Sequence, residues 1–114
     1  MATNLSTLLN KNLDKAVSKR VSDTKSERSA RVEIIAAIIK ADGGNSSATY
    51  MVLRGDAQCP MRKCLQAFAQ VLPVTMGEIM RATRRDGCVY NSSGYGYKPK
   101  SGGKERDGKE RDGK

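Results

Sequence analysis

The chain contains no histidine and no tryptophan, only 4% aromatic residues, and just three cysteines, at 59, 64 and 88. Without histidine there is no imidazole acid–base pair, and neither Cys64 nor Cys88 has an imidazole to activate it. An odd cysteine count argues against a closed disulfide framework, and the missing fourth ligand argues against a structural zinc site. Cys64 fits a buried helical position and Cys88 a strand, so both are expected as small reduced core residues. Reduced thiols point to the cytoplasm. The N-terminus has no long apolar segment, and nowhere does the chain approach the length of a membrane span. Nor does it carry a phosphate-binding glycine loop or a metal-ligand cluster. The chain is therefore expected not to be an enzyme, with no catalytic residue, no metal and no cofactor.

What is present is positive charge on a small chain. At 114 residues with a 38% apolar fraction, one modest core is available. Twenty-one Lys and Arg stand against 12 Asp and Glu, a net charge of +9. Such a chain attracts polyanions by neutralising phosphates and releasing their counterions, although charge also serves solubility. Some of it lies in a Lys/Gly/Ser-rich segment at 99–114, which ends in a tandem Lys-Glu-Arg-Asp-Gly repeat. That segment has almost nothing to bury and is expected to be a disordered charged tail.

Leu5, Leu8, Leu9, Leu13, Ala16, Val17 and Val21 share one helical face, with Lys11, Lys15 and Lys19 mostly away from it. This amphipathic helix and its linker occupy residues 1–25. Its apolar stripe could fold onto its own domain or form a dimer or partner seam through Leu5, Leu8, Leu9, Leu13 and Val17. A polar break follows, in which Thr24 and Glu27 have capping-box spacing. Ile34, Ile35, Ile38 and Ile39 then form a second helical face, ended by Gly43-Gly44. Ala48–Arg54 reads as a short strand, and Arg54-Gly55-Asp56 as a turn. Pro60 suits a first helical turn. Behind it Met61, Cys64, Leu65, Phe68, Ala69 and Leu72 make a helical face that Pro73 breaks. Thr75 and Glu78 offer another capping box, and Ile79, Met80 and Thr83 carry a helix to Gly87. Cys88–Tyr90 and Tyr95–Tyr97 flank the turn-rich Asn91–Gly94, so a hairpin follows.

The run Phe68-Ala-Gln-Val-Leu-Pro-Val-Thr-Met-Gly-Glu-Ile-Met-Arg81 resembles the helix-turn-helix of bacterial and phage DNA-binding proteins. Phe68 and Ala69 match its apolar–small pair, Pro73 and Val74 its turn, Thr75 its cap and Ile79 its buried aliphatic. The turn position is usually Gly in that family, so the fixed φ of Pro73 implies a turn of different or longer form. With the hairpin behind it, the resemblance extends to the winged-helix superfamily over 26–98. It implies a mainly α fold with a small β-hairpin, a winged-helix-like domain with an extra N-terminal helix.

It also implies a cytoplasmic, sequence-specific double-stranded DNA-binding protein, such as a small transcription regulator or a phage or plasmid accessory protein. Helix 75–86 would read the major groove and wing 88–98 would contact the backbone. The residues so implicated are Thr75, Met76, Gly77, Arg81, Arg84, Arg85, Tyr95, Tyr97, Lys98 and Lys100. Arginines near a helix C-terminus also complement its dipole, and wing tyrosines also pack strands. A homodimer through the N-terminal helix would read two half-sites. Two other readings are a winged-helix protein-interaction adaptor or inhibitor, and an RNA- or ribosome-binding protein. The lack of an aromatic platform on a sheet counts against single-strand recognition.

Overall fold

The computed structural model describes residues 2–99. Lys100 and the rest of the charged tail lie outside them. Among the described residues five helices are followed by one hairpin: α1 (Asn4–Arg20), α2 (Glu27–Ala41), α3 (Ser46–Arg54), α4 (Arg62–Val71), α5 (Met76–Arg85), β1 (Val89–Tyr90) and β2 (Gly96–Tyr97). The fold is mainly helical, and its small antiparallel sheet pairs Val89 with Tyr97 and Tyr90 with Gly96.

α1 belongs to the same core as the other helices, packing on α2, α3 and α5. Leu5, Leu9, Leu13 and Val17 are buried there, and Leu8 is half-buried against the same cluster. The stripe that suggested a dimer seam is thus covered within the chain, and its periodicity needs no second copy. Ile34 and Ile38 of α2, Leu65 and Phe68 of α4, and Ile79 of α5 complete the centre. Burying a side chain of this kind stabilises by about 1.5–3 kcal/mol relative to leaving it exposed.

Three local expectations are corrected. Residues 48–54 are helical, not a strand. Asn45 accepts the Ala48 N–H at the start of α3, and Gly55 closes its end with φ +80°. The inward residues Thr49 and Val52 are spaced for a helix, while Tyr50 and Met51 point outward. α2 is capped by Ser26, whose hydroxyl accepts the Ser29 N–H at 3.2 Å, and not by Thr24. Thr24 lies instead in a tight turn closed by two backbone hydrogen bonds between Ser22 and Lys25. Pro60 precedes α4 by two residues instead of lying in its first turn.

The cysteine expectation is also corrected. Cys59 and Cys88 form a disulfide, with Cα atoms 5.8 Å apart, and only Cys64 is a free thiol. The odd count concealed one bridge plus one buried thiol. The bridge ties the loop entering α4 to the segment leaving α5, and it removes the reduced-thiol ground for a cytoplasmic location. No helix among the described residues is long and apolar enough to cross a membrane.

Candidate functional site

Four residues, 72–75, separate α4 from α5. The Val74 N–H donates to the Leu72 carbonyl at 2.8 Å, an i to i+2 bond that closes a γ-turn around Pro73. A γ-turn accommodates the proline φ without the left-handed backbone a glycine would supply. Val74 and Leu72 are buried on either side of the exposed Pro73.

α5 begins with a complete capping box. Thr75 Oγ1 accepts the Glu78 N–H at 3.1 Å, and Glu78 Oε1 accepts the Thr75 N–H at 3.0 Å. The Thr75 hydrogen bonds hold the Glu78 carboxyl below its ordinary value of 4.5, against a small opposing effect of burial; Arg81 and Lys15 lower it further. Ile79, Ala82 and Thr83 face the core. At 100° per residue the opposite side carries Gly77, Arg81 and Arg84, all exposed. Met76 is half-buried against the core, and Thr75, though exposed, is committed to its cap.

Nothing among the described residues calls for glycine at 77. A Cβ built there meets only Thr75 Oγ1, at 3.8 Å, an ordinary contact. Glycine costs roughly 1 kcal/mol relative to alanine in a helix interior, and somewhat less in a first turn such as that of Gly77. Here that cost has no intramolecular return.

The two flanks of the face differ. On one side Arg84 borders a hollow shared with Arg62, Met80 and the hairpin residues Val89 and Tyr90. On the other, Arg81 and Arg85 line a cleft against α1 that Lys11 and Lys98 also line. Glu78 and Asp86 also line this cleft. Asp86 Oδ1 accepts the Asn4 N–H at 2.8 Å and the Asn4 side-chain amide at 2.9 Å; its Oδ2 accepts the Leu5 N–H at 3.0 Å.

The hairpin is fixed to α4. α4 lacks a side-chain cap, and its first N–H, that of Arg62, donates to the Gly94 carbonyl at 2.9 Å. Tyr90 Oη donates to the Pro60 carbonyl at 2.6 Å. Burial pushes the Tyr90 hydroxyl up to about 12. Gly96 permits the Tyr90 ring to lie flat on the backbone, since a Cβ there would come within 2.6 Å of Tyr90 Cε2. Tyr95 and Tyr97 are exposed (55% and 50%), as is Lys98.

Of the residues implicated by the sequence, Arg81, Arg84 and Arg85 are thus exposed on α5, and Tyr95, Tyr97 and Lys98 in and around β2 of the hairpin. Lys100 lies outside the described residues. Lys11, Arg62 and Asp86 were missed. Lys11 was visible only as part of the polar side of α1, and its neighbours depend on how α1 docks.

A separate hollow of about 290 Å³ opens between α3, α4 and the end of α2, lined by Asp42, Met51, Val52, Ala57, Pro60 and Cys64. Burial pushes the Cys64 thiol up to about 12, and the Asp42 carboxylate adds to this. A thiol so placed is a poor nucleophile.

Neither a family model, nor a curated protein, nor a solved structure matches this chain.

Proposed function

We propose that this protein binds double-stranded DNA as a helix-turn-helix module of winged-helix type, with α5 entering the major groove and the hairpin lying against the backbone. The observation that carries the reading is the outward face of α5. Gly77, Arg81 and Arg84 lie opposite the buried stripe, and neither arginine is ion-paired among the described residues. Arginine suits bidentate donation to guanine O6 and N7, and an unneeded glycine permits close approach of a groove wall. The hairpin is held to the start of α4 by Arg62 and to the loop before it by Tyr90, and Tyr95, Tyr97 and Lys98 are exposed in and around its second strand. In this reading the protein is a small regulator or accessory factor, with phosphate contacts giving affinity and α5 giving sequence discrimination.

The test is selection of bound fragments from random duplex DNA, followed by titration of the selected sequence across a range of salt. Expected are a recovered motif, binding that weakens steeply with salt, and relaxed preference at one position in Arg84→Ala. Recovery of no motif, with equal affinity for all duplexes, would overturn sequence readout. No binding to any duplex, at any salt, would overturn the reading altogether.

A further inference from the structure

The cleft between α1 and α5 has a volume of about 580 Å³ and is lined by four cations, Lys11, Arg81, Arg85 and Lys98. Ion pairs occur elsewhere among the described residues: Glu33 with Arg20 and Lys25, Asp14 with Arg31, Asp56 with Arg54. None of them includes a cation of the cleft.

Two carboxylates share the cleft, and both are committed. Glu78 accepts two hydrogen bonds from Thr75 and is the closing half of the α5 cap. Asp86 accepts the first two backbone N–H groups of α1 and the Asn4 amide. Thr3 Oγ1 takes the third N–H, that of Ser6, at 3.0 Å. The helix start is therefore saturated by the protein itself, so it is the side chains that remain available. Four cations against two engaged carboxylates leave the cleft positive.

We propose that this cleft holds a backbone phosphate of the bound duplex, gripped by Lys11 and Arg85 with Lys98 at its rim. This deepens the DNA-binding reading and rests on it. It makes α1 part of the nucleic-acid surface and divides the labour on α5. Arg84, on the far flank beside Arg62 and the hairpin, faces bases. Arg85, on the α1 flank, faces the backbone. Arg81 sits between the two. Lys11 is exposed and stands one turn beyond Thr7 and Leu8, which line the same cleft. Its charge is therefore free to meet a phosphate without unpacking the helix.

The experiment compares the full chain with Lys11→Gln, Arg85→Gln, Arg84→Gln and Lys40→Gln. The last removes one exposed charge from α2, away from the cleft. Each is titrated with the selected duplex and with a scrambled one, from low to moderate salt, after a thermal melt establishes that it folds. One phosphate contact carries a salt slope of about 0.9, so its loss at 0.1 M salt costs roughly eightfold in affinity. Lys11→Gln and Arg85→Gln are expected to lose this on both duplexes alike and to make the salt slope shallower by about one. Arg84→Gln is expected to narrow the ratio between duplexes instead, and Lys40→Gln to change little.

If Lys11→Gln binds as the parent does, or loses no more than Lys40→Gln, the cleft is not on the DNA path and this inference falls while the DNA reading stands. If Lys11→Gln changes the ratio between duplexes rather than the salt slope, the phosphate assignment is wrong. If the parent chain binds no duplex, both readings fall together.

Discussion

Asp86, the residue that ends α5, also starts α1: its carboxylate accepts the Asn4 backbone N–H at 2.8 Å across 82 residues of sequence. A carboxylate at a helix C-terminus opposes that helix's dipole, and at an N-terminus it complements one. Asp86 does both, and the second relationship carries three hydrogen bonds to Asn4 and Leu5. It fixes the first turn of α1 beside the last turn of α5, which builds the cationic cleft.

Asp86→Ala removes both acceptor oxygens, and with them all three hydrogen bonds, from α1 and is expected to cost about 1–2 kcal/mol, within the range for loss of a charged cap. Asp86→Asn, which keeps one acceptor oxygen, is expected to cost less. Denaturant unfolding of the two variants checks this order. An unchanged midpoint for Asp86→Ala would show that the link between the two helices contributes nothing.

The disulfide Cys59–Cys88 closes a loop of 29 residues. Loop-closure entropy assigns such a bridge roughly 3–4 kcal/mol, acting through the unfolded chain. Reduction is expected to lower the melting temperature markedly. Alkylation without reductant is expected to modify one cysteine, Cys64, and only after unfolding, because burial keeps its thiol protonated up to about 12. Mass spectrometry counts the adducts. Two or three adducts on the unreduced chain would contradict the pairing.

Glu78 supplies the acid dependence of α5. Its carboxyl titrates below 4.5 in the folded protein because the Thr75 hydrogen bonds favour the ionised form. A depressed carboxyl contributes stability that is fully present above the unfolded value and lost as pH falls through the folded one. Glu78→Gln keeps an acceptor oxygen but cannot titrate. Its melting temperature is therefore expected to fall less than the parent's between pH 4.5 and pH 3. Parallel curves for the two proteins would remove Glu78 from the acid response.

Gly77→Ala separates folding from binding. Room for the methyl group exists, and alanine is up to roughly 1 kcal/mol better than glycine in a helix, so in this first turn the variant is expected to be modestly more stable, by less than that amount. Under the DNA reading the same methyl group obstructs close approach and weakens binding. Thermal melts and duplex titration measure the two effects separately. A variant that gains stability and binds as before would show that glycine is not there for a partner.

Much of the helical layout is legible because apolar spacing reports burial directly. Leu5, Leu9, Leu13 and Val17, then Ile34 and Ile38, then Leu65, Phe68 and Ile79 all lie where their periodicity places them. The Thr75–Glu78 cap and the terminating Gly43-Gly44 are read equally well, since both are set by neighbouring residues. Residues 48–54 are misread because Thr49, Tyr50 and Val52 favour a strand by residue type. Asn45 and Gly55, as caps at either end, decide for helix. The bridge is invisible in a count of three cysteines, because only proximity selects Cys59 and Cys88 as partners.

The sequence by itself determines α1, α2, α4 and α5, their inward faces, the exposed arginines of α5 and the surplus of positive charge, because each depends on residues within a turn or two of one another. Tertiary structure decides which charges meet. It brings Lys11 and Arg85 to one cleft and Arg84 and Arg62 to another hollow, sets Asp86 on Asn4, and covers the stripe of α1 within the chain. Those pairings depend on how α1 docks against α5, and packing across some eighty residues is not written in the spacing of either helix.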